Sequence, residues 1–533
     1  MLDSLPSVVA ITYALVYSLL LLFIVETRRG VITGEKSSSK TTDFLILIPI
    51  ILFFFLVWIV YWLVSSHPLD YWYQAWAIIY IIAQLFYLYI FAVMFYFFSL
   101  KVNWVDSIQT TMLTTDQMPL IVLAYPVLHE DEGTMHSTMI TLSRIDYPRD
   151  KYRVIVIPNS NDTVTIASLK RLQIEFPFLE ILEVPPTHDH GWNTVWQAWD
   201  SCPFTYWWHT GKTKGVQGLP SKKTRQLIYL FYTLINQIGT SWVLDYIDAD
   251  SLTPPNHFKL AAVGLQKYDV LQSTNVVGNP LDTLSTSLHA YDHMTWDGNL
   301  YPHMSANGKH PYYMLGKGLF YKASDLYNLG SFNPWITIED PEVGMRLWAN
   351  GKRLGIIAEP LIEEVPQHFF MGGIIQRNRW MCGFFQTMGA PLKSMGMKFW
   401  ARQKARLNLV PVLSQLVNII GLPTGAYALY RFINHAGDFP LWVIILSLIN
   451  IAFYLSLISG LYVNVWKRTG YVLNKKRDRI IYMLRINPVF LFAYWILWCI
   501  PIFVGFGMYI LGMGKTWDRT EKVDSDRNIA EKM

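Results

Sequence analysis

Apolar residues are spread unevenly along this chain. They gather into long uncharged runs at both ends, while charged residues, Pro and Gly collect between them. A bilayer core ~30 Å thick takes about 20 apolar residues in a helix. Three N-terminal runs reach that length: residues 7–25, 44–64 and 71–100, the last long enough to tilt or to emerge from the membrane. The first has neither a basic lead-in nor a small-residue cleavage site, so it reads as a retained anchor. At the other end, 407–433 (with Pro423 as a kink) and 439–466 qualify, and 488–511 qualifies with interruptions at Pro501, Gly505 and Gly507.

Basic residues give the orientation. Arg28, Arg29, Lys36 and Lys40 follow the first run, whereas 65–70 has no Lys or Arg. The positive-inside rule places the first loop in the cytosol and the second outside, so the third run returns the chain to the cytosol. Lys475, Lys476, Arg477 and Arg479 place 467–485 inside again. The expected protein is a multi-pass one of the plasma or inner membrane. Residues 1–100 hold the N-terminal helices, 101–397 a cytosolic domain, 398–513 the C-terminal helices and 514–533 a tail.

Within 101–397 the pattern changes period. Short β-rich runs at 119–128, 152–158, 179–184 and 241–247 are separated by helix-like stretches. That alternation predicts an α/β domain with a mostly parallel sheet, whose ligands sit at the carboxyl ends of the strands.

Composition agrees with a membrane protein. Hydrophobic residues make up 52% of the 533-residue chain, too many for an ordinary soluble protein, and the 15% aromatic content suits interfacial belts. The net charge of +5 comes from Lys and Arg beside the apolar runs, which points to membrane lipids as partners and not to nucleic acid. Cys202, Cys382 and Cys499 have no metal or disulfide spacing, and the histidines have none either.

Three elements carry chemistry. Asp248 and Asp250 end an apolar run at i, i+2, a spacing that puts both on one side of a strand, where they suit a hard divalent cation; they equally suit a polar strand end. Asp340 precedes Pro341 and a helical stretch, so it reads as a helix cap, as a general base, or as both. Gln376, Arg379 and Trp380 share one helix face: a hydroxyl partner, a phosphate fork and a flat platform for a sugar ring. The alternative there is a basic amphipathic helix at the bilayer, which Trp400, Arg402, Lys404 and Arg406 resemble more closely. Lys222 and Lys223 stand before a helix-like stretch at 227–235 and offer phosphate contacts.

In this order the elements resemble family 2 glycosyltransferases of the cellulose, hyaluronan and curdlan synthase type. Pro-Val-Leu-His-Glu at 126–130 is similar to the family's opening strand end, and Lys223 falls where the family has its Lys-x-x-Ala-Leu stretch. Asp248 and Asp250 match its DxD, Gly316-Lys-Gly its acceptor-side glycines, Glu339 and Asp340 its Glu-Asp pair, and Gln376 to Trp380 its Gln-x-x-Arg-Trp. The resemblance implies a GT-A (Rossmann-like) fold, a nucleotide-diphospho-sugar donor, and Mg2+ or Mn2+ held through Asp250 and Asp248. Asp340 is then the base of an inverting transfer. Val127, Glu130, Asn159, Lys223 and Arg379 fall on the donor side; Gly316, Glu339, Gln376 and Trp380 fall on the acceptor side.

One departure concerns the donor. After the second strand, where relatives carry an aspartate that reads uracil, this chain has Pro158 and Asn159; a UDP-sugar is favoured and a GDP-sugar is the second option. The tail residues Trp517, Thr520 and Lys522 resemble a gating segment, which requires the tail to be cytosolic, whereas a single crossing of 488–511 puts it outside. A break in that run resolves the conflict. The expected acceptor is a growing glycan, elongated as a β-linked polysaccharide and passed across the membrane. The alternatives are a lipid such as a polyprenyl phosphate or glycolipid that takes one sugar, or a catalytically silent membrane receptor or transport component on the same fold.

Overall fold

The computed structural model describes residues 70–105, 113–202, 218–311, 314–366, 372–393, 395–409, 414–434 and 440–513. The first two apolar runs, their basic loop, and the tail with Trp517, Thr520 and Lys522 lie outside the described residues.

Helix α1 (Asp70–Ser99) leads into an eight-stranded sheet. Its strands are β1 (Trp104–Val105), β2 (Ile121–Pro126), β3 (Tyr152–Ile157), β4 (Leu179–Ile181), β5 (Val243–Tyr246), β6 (Val270–Val277), β7 (Leu319–Lys322) and β8 (Leu354–Glu363). They lie in the order β1-β8-β6-β7-β5-β2-β3-β4. Only β7 is antiparallel, wedged between β5 and β6. The four strands expected from the sequence are present, β2 and β5 trimmed at both ends, β3 and β4 at the carboxyl end only.

Strands covered on both faces read as continuous apolar runs, and β2 (Ile-Val-Leu-Ala-Tyr-Pro) is buried throughout. Its alternate side chains enter two cores. Leu123 and Tyr125 pack with Met135 and Met139 of α2 (Glu132–Ser143) and Leu169 of α3 (Thr163–Glu175). Val122 and Ala124 face Leu227, Ile228 and Phe231 of α4 (Lys223–Ile238). Each of those three α4 side chains is fully buried, contributing about 1.5–3 kcal/mol. Helix α5 (His257–Lys267) joins the first core.

Three described helices are long and apolar enough to cross a membrane: 75–99, 441–471 and 488–510. The segment expected at 407–433 instead forms α9 (Phe399–Leu409) and α10 (Ser414–Asn434), and α10 is not among those three. Its Asn, Gln, Thr and Arg residues dilute the apolar run. Polar contacts tie α1 to its neighbours: Trp76 Nε1 donates to Thr424 O of α10 at 3.2 Å, and Asn450 Nδ2 of α11 (Leu441–Arg468) donates to Gln84 Oε1 at 2.6 Å. Such bonds are useful between helices in lipid, where apolar burial gives no preference for protein over chain.

The last apolar run is interrupted at Trp498 and not at Pro501–Gly507, and 488–510 as a whole still has the length and apolarity to cross a membrane. It forms α12 (Pro488–Leu497) and α13 (Cys499–Ile510). Pro501 falls in the first turn of α13, where its missing N–H is no loss.

Candidate active site

The carboxyl edge of β5 opens on a cavity of about 280 Å³. Strand pairing runs out at Tyr246, which aligns with Ala124 on one side and Leu319 on the other. Asp248 and Asp250 therefore sit on a turn beyond the strand, closed by Ser251 N donating to Asp248 O at 3.0 Å, and not in the strand itself as their spacing predicted. Both line the cavity all the same. Tyr125 Oη and Thr138 Oγ1 pin the turn by donating to Ala249 O at 2.5 and 3.0 Å. Asp250 is only 2% exposed.

Lys223 is the first residue of α4, and its ammonium joins three parts of the site. It donates to Asp248 Oδ1 and to Gly316 O, both at 2.8 Å, and lies 3.9 Å from Glu339 Oε1. Burial alone pulls its pKa down, but the carboxylates of Asp248, Glu339 and Asp340 outweigh that and raise it. Lys222, the preceding residue, is buried and donates to Ile336 O at 3.2 Å, which supports the loop leading to Asp340.

Asp340 opens α7 (Asp340–Ala349), one position past the cap; Glu339 occupies the cap position and Pro341 follows. Its carboxylate is thus not used as the cap that the sequence suggested. Instead Oδ1 accepts a hydrogen bond from the buried Tyr246 hydroxyl. Burial first, and then the Glu339 charge, push the Asp340 carboxyl well above the usual carboxylate range, against the pull of Lys223. A raised value makes a stronger base near neutral pH.

The third wall is α8 (Ile374–Met388), where Gln376, Arg379 and Trp380 all line the cavity, as their shared face predicted. Two contacts bring this helix to Asp340. Gln386 Oε1 accepts from Thr337 N at 2.7 Å. Gly383 lies so close to Ile338 that a Cβ there would meet Ile338 Cγ1 at 2.1 Å, so only Gly allows the approach. Trp380 is set by its neighbours: Arg377 Cζ is 5.4 Å from the ring centroid, and the His293 ring stands at 75° to it, 5.5 Å away. Arg377 itself is fully buried, within 3.4 Å of Asp292 Oδ2 and donating to Tyr494 Oη of α12 at 2.9 Å.

Glu130, Gly316 and Glu339 also line the cavity; Val127 and Asn159 do not. Val127 is fully buried in the α2–α3 core, and its carbonyl accepts from Gln226 Nε2 at 2.9 Å. Asn159 Oδ1 accepts from Arg225 at 2.7 Å, and the residue bridges to Val184. Alternation along the chain explains the first departure: Pro126 and Leu128, on either side of Val127, face the cavity.

Sequence reasoning missed a polar cluster on the cavity wall beside Trp380. His293 and Asp297, at the end of α6 (Leu284–Thr295) and in the following turn, meet Glu363 at the end of β8, with ligand atoms within 4.8 Å of one another. His293 Nδ1 lies 3.0 Å from Asp297 and 3.2 Å from Glu363. The i, i+4 spacing of His293 and Asp297 was a readable signal; Glu363 was not, because only the sheet brings it there. The triad offers ligands for a divalent metal. Lys317 already pairs with Glu363, however, and Arg468 lies in the field of Asp297, so its two carboxylates are balanced. Asp248 and Asp250 offer further hard carboxylate oxygens on a pinned turn facing the same cavity as Glu130, with Asp248 likewise paired to a cation, Lys223.

No curated protein matches this sequence significantly. Among solved structures, the chain is similar to the mannosyltransferase PcManGT from Pyrobaculum calidifontis, in complex with GDP-Man and Mn2+. That match has 15% identity over 80% of this chain and 99% of that one, with a TM-score of 0.45. TarS 1–349 from S. aureus is 12% identical over 76% of this chain and 94% of its own, at a TM-score of 0.29. Its complex with UDP-GlcNAc gives 13% and 0.27 over the same shares. Residues 242–510, just over half of the chain, run from β5 through the acidic turn, Asp340 and Trp380 to the end of α13; they match the family model for glycosyl transferase family group 2, and the chain belongs to that family.

Proposed function

We propose that this glycosyltransferase is an inverting hexosyltransferase that extends a β-linked polysaccharide from a nucleotide-diphospho-sugar and passes the product across the membrane. One observation carries the proposal: Asp250, Asp340 and Trp380, from three distant stretches of chain, line a single cavity whose wall also includes Trp498, at the junction of α12 and α13.

In this reading Trp380 supports the acceptor sugar and Gln376 bonds one of its hydroxyls. Asp340 takes the proton of the attacking hydroxyl. The oxygen forms a bond to the anomeric carbon as the bond from that carbon to the diphosphate breaks, and an α-linked donor becomes a β-linkage. Arg379 and Lys223 face the departing diphosphate. Asp248 and Asp250 would hold Mg2+ or Mn2+, which supplies charge neutralisation to the diphosphate. The donor is a UDP-sugar by preference, with a GDP-sugar second. The domain faces the cytosol, as the basic loops direct.

A second reading, transfer of one sugar to a polyprenyl phosphate or glycolipid, draws on the same Trp498, because a lipid acceptor would enter beside an apolar helix pair. Product size separates the two. Membranes containing the protein are offered radiolabelled nucleotide sugars with Mg2+ or Mn2+, and the product is sized. Polymer is expected; a single-sugar lipid adduct would overturn processive synthesis.

A further inference from the structure

We infer that Tyr246 is the positioning residue of the proposed base, anchoring one carboxylate oxygen of Asp340 so that the other faces the acceptor hydroxyl. This rests on Asp340 being the base.

Tyr246 is the last residue of β5 and is fully buried. Its ring is held on every side. Tyr321 of β7 stacks on it at 6.2 Å and 18°, Phe332 meets it edge-on at 6.1 Å, and the Lys223 ammonium lies 4.6 Å from its centroid. The preceding residue, Asp245, points to the other face of the sheet and is bound to His257 at 3.0 Å, so strand alternation fixes which way Tyr246 points.

The two carboxylate oxygens of Asp340 therefore have different surroundings. Oδ1 accepts the Tyr246 hydroxyl bond. Oδ2 lies on the side of Gly316, a cavity-lining residue, 2.6 Å from where a Cβ on that glycine would be. Tyr246 itself does not line the cavity, so its hydroxyl acts on the reaction through Asp340.

The charged and titratable groups facing Asp340 are Glu339 on its own element, Lys223 from α4, Tyr246 from β5 and Tyr321 from β7. Burial and Glu339 raise its pKa; Lys223 and the Tyr246 bond lower it. Removing the phenolic hydroxyl therefore raises it further, and removing the Glu339 charge lowers it.

Tyr246→Phe keeps the ring, and with it the stack on Tyr321 and the face under Lys223. Nucleotide release is measured against pH in membranes, with whichever of UDP-glucose, UDP-N-acetylglucosamine and GDP-mannose the wild type turns over fastest. Tyr246→Phe is expected to lower kcat about tenfold to 100-fold, to leave donor KM within about twofold, and to move the acid limb to higher pH. Glu339→Gln is expected to move that limb to lower pH. An unchanged kcat, or a lower kcat with an unmoved limb in Tyr246→Phe, overturns the inference, because the phenol would then serve packing only. Asp340→Asn is run alongside. If it stays active, the base assignment itself fails; if it is dead while Tyr246→Phe behaves as wild type, only the positioning role fails.

Discussion

Replacing Lys223 with Met removes the one contact that joins Asp248, Gly316 O and Glu339, and the losses are unequal. The Asp248 side chain is 41% exposed and regains water, so its share is below about 1 kcal/mol. Gly316 O loses a donor, about 1 kcal/mol. Glu339 and Asp340, 4% and 7% exposed, lose the cation that offsets them. A buried charge stripped of its partner costs about 3–5 kcal/mol, reduced here to about 2 because a proton can stand in for the lost cation. The total is about 3–4 kcal/mol, or roughly 6–10 °C in apparent Tm.

The deficit depends on pH with a definite sign. Asp340 is already raised by burial and by Glu339, and loses a lowering influence in the variant. A carboxyl with a raised folded pKa leaves the fold most stable below the ordinary carboxylate range, and that stability is lost as pH climbs through the folded value. The gap between wild type and Lys223→Met should therefore be widest near about pH 8 and narrow toward about pH 5. Tryptophan-fluorescence melting in detergent with EDTA reads it directly. A variant that melts within about 2 °C of wild type at the higher pH, or a gap that ignores pH, refutes the electrostatic reading.

Other outcomes follow from the packing around α8. Gly505→Ala puts a Cβ 2.5 Å from Met381 Cβ and 2.9 Å from Cys382 N, so α13 must move off the helix that carries Trp380; melting should show a loss of about 1–3 kcal/mol, with transfer reduced. Arg377→Met removes the cation beside Asp292, which keeps its Tyr494 hydroxyl bond, at a cost of up to about 3–5 kcal/mol. Adding Asp292→Asn should recover more than half of the lost melting temperature, the coupling expected of contacting residues. Chelation should abolish transfer, and Mn2+ or Mg2+ should restore it in wild type but not in Asp250→Asn, read as labelled sugar incorporated.

Much of the sheet was legible because β2, β3, β4 and β5 are bounded apolar runs that pair with neighbours in register. The later strands were not singled out: β6 carries Gln272, Ser273, Thr274 and Asn275 in its interior, and β7 owes its antiparallel place to partners distant in sequence. Gln376, Arg379 and Trp380 were legible because helical spacing alone puts them on one face. Tyr246 and Glu363 were not, since their roles exist only where β5 and β8 deliver them to α7 and α6. The Asp248–Asp250 pair reached the cavity for a different reason than expected, on a turn and not a strand. Asp340 lies one residue past its expected cap position, a displacement within ordinary helix-end ambiguity that nonetheless frees its carboxylate.

The most direct measurement is glycosyl transfer by Asp340→Asn in native membranes, alongside binding of the same nucleotide sugar. Transfer should fall by a factor of about 100 to 10,000 while donor binding stays close to wild type. Transfer at wild-type rate with Asn at this position would contradict the assignment of that cavity as the place where the sugar moves.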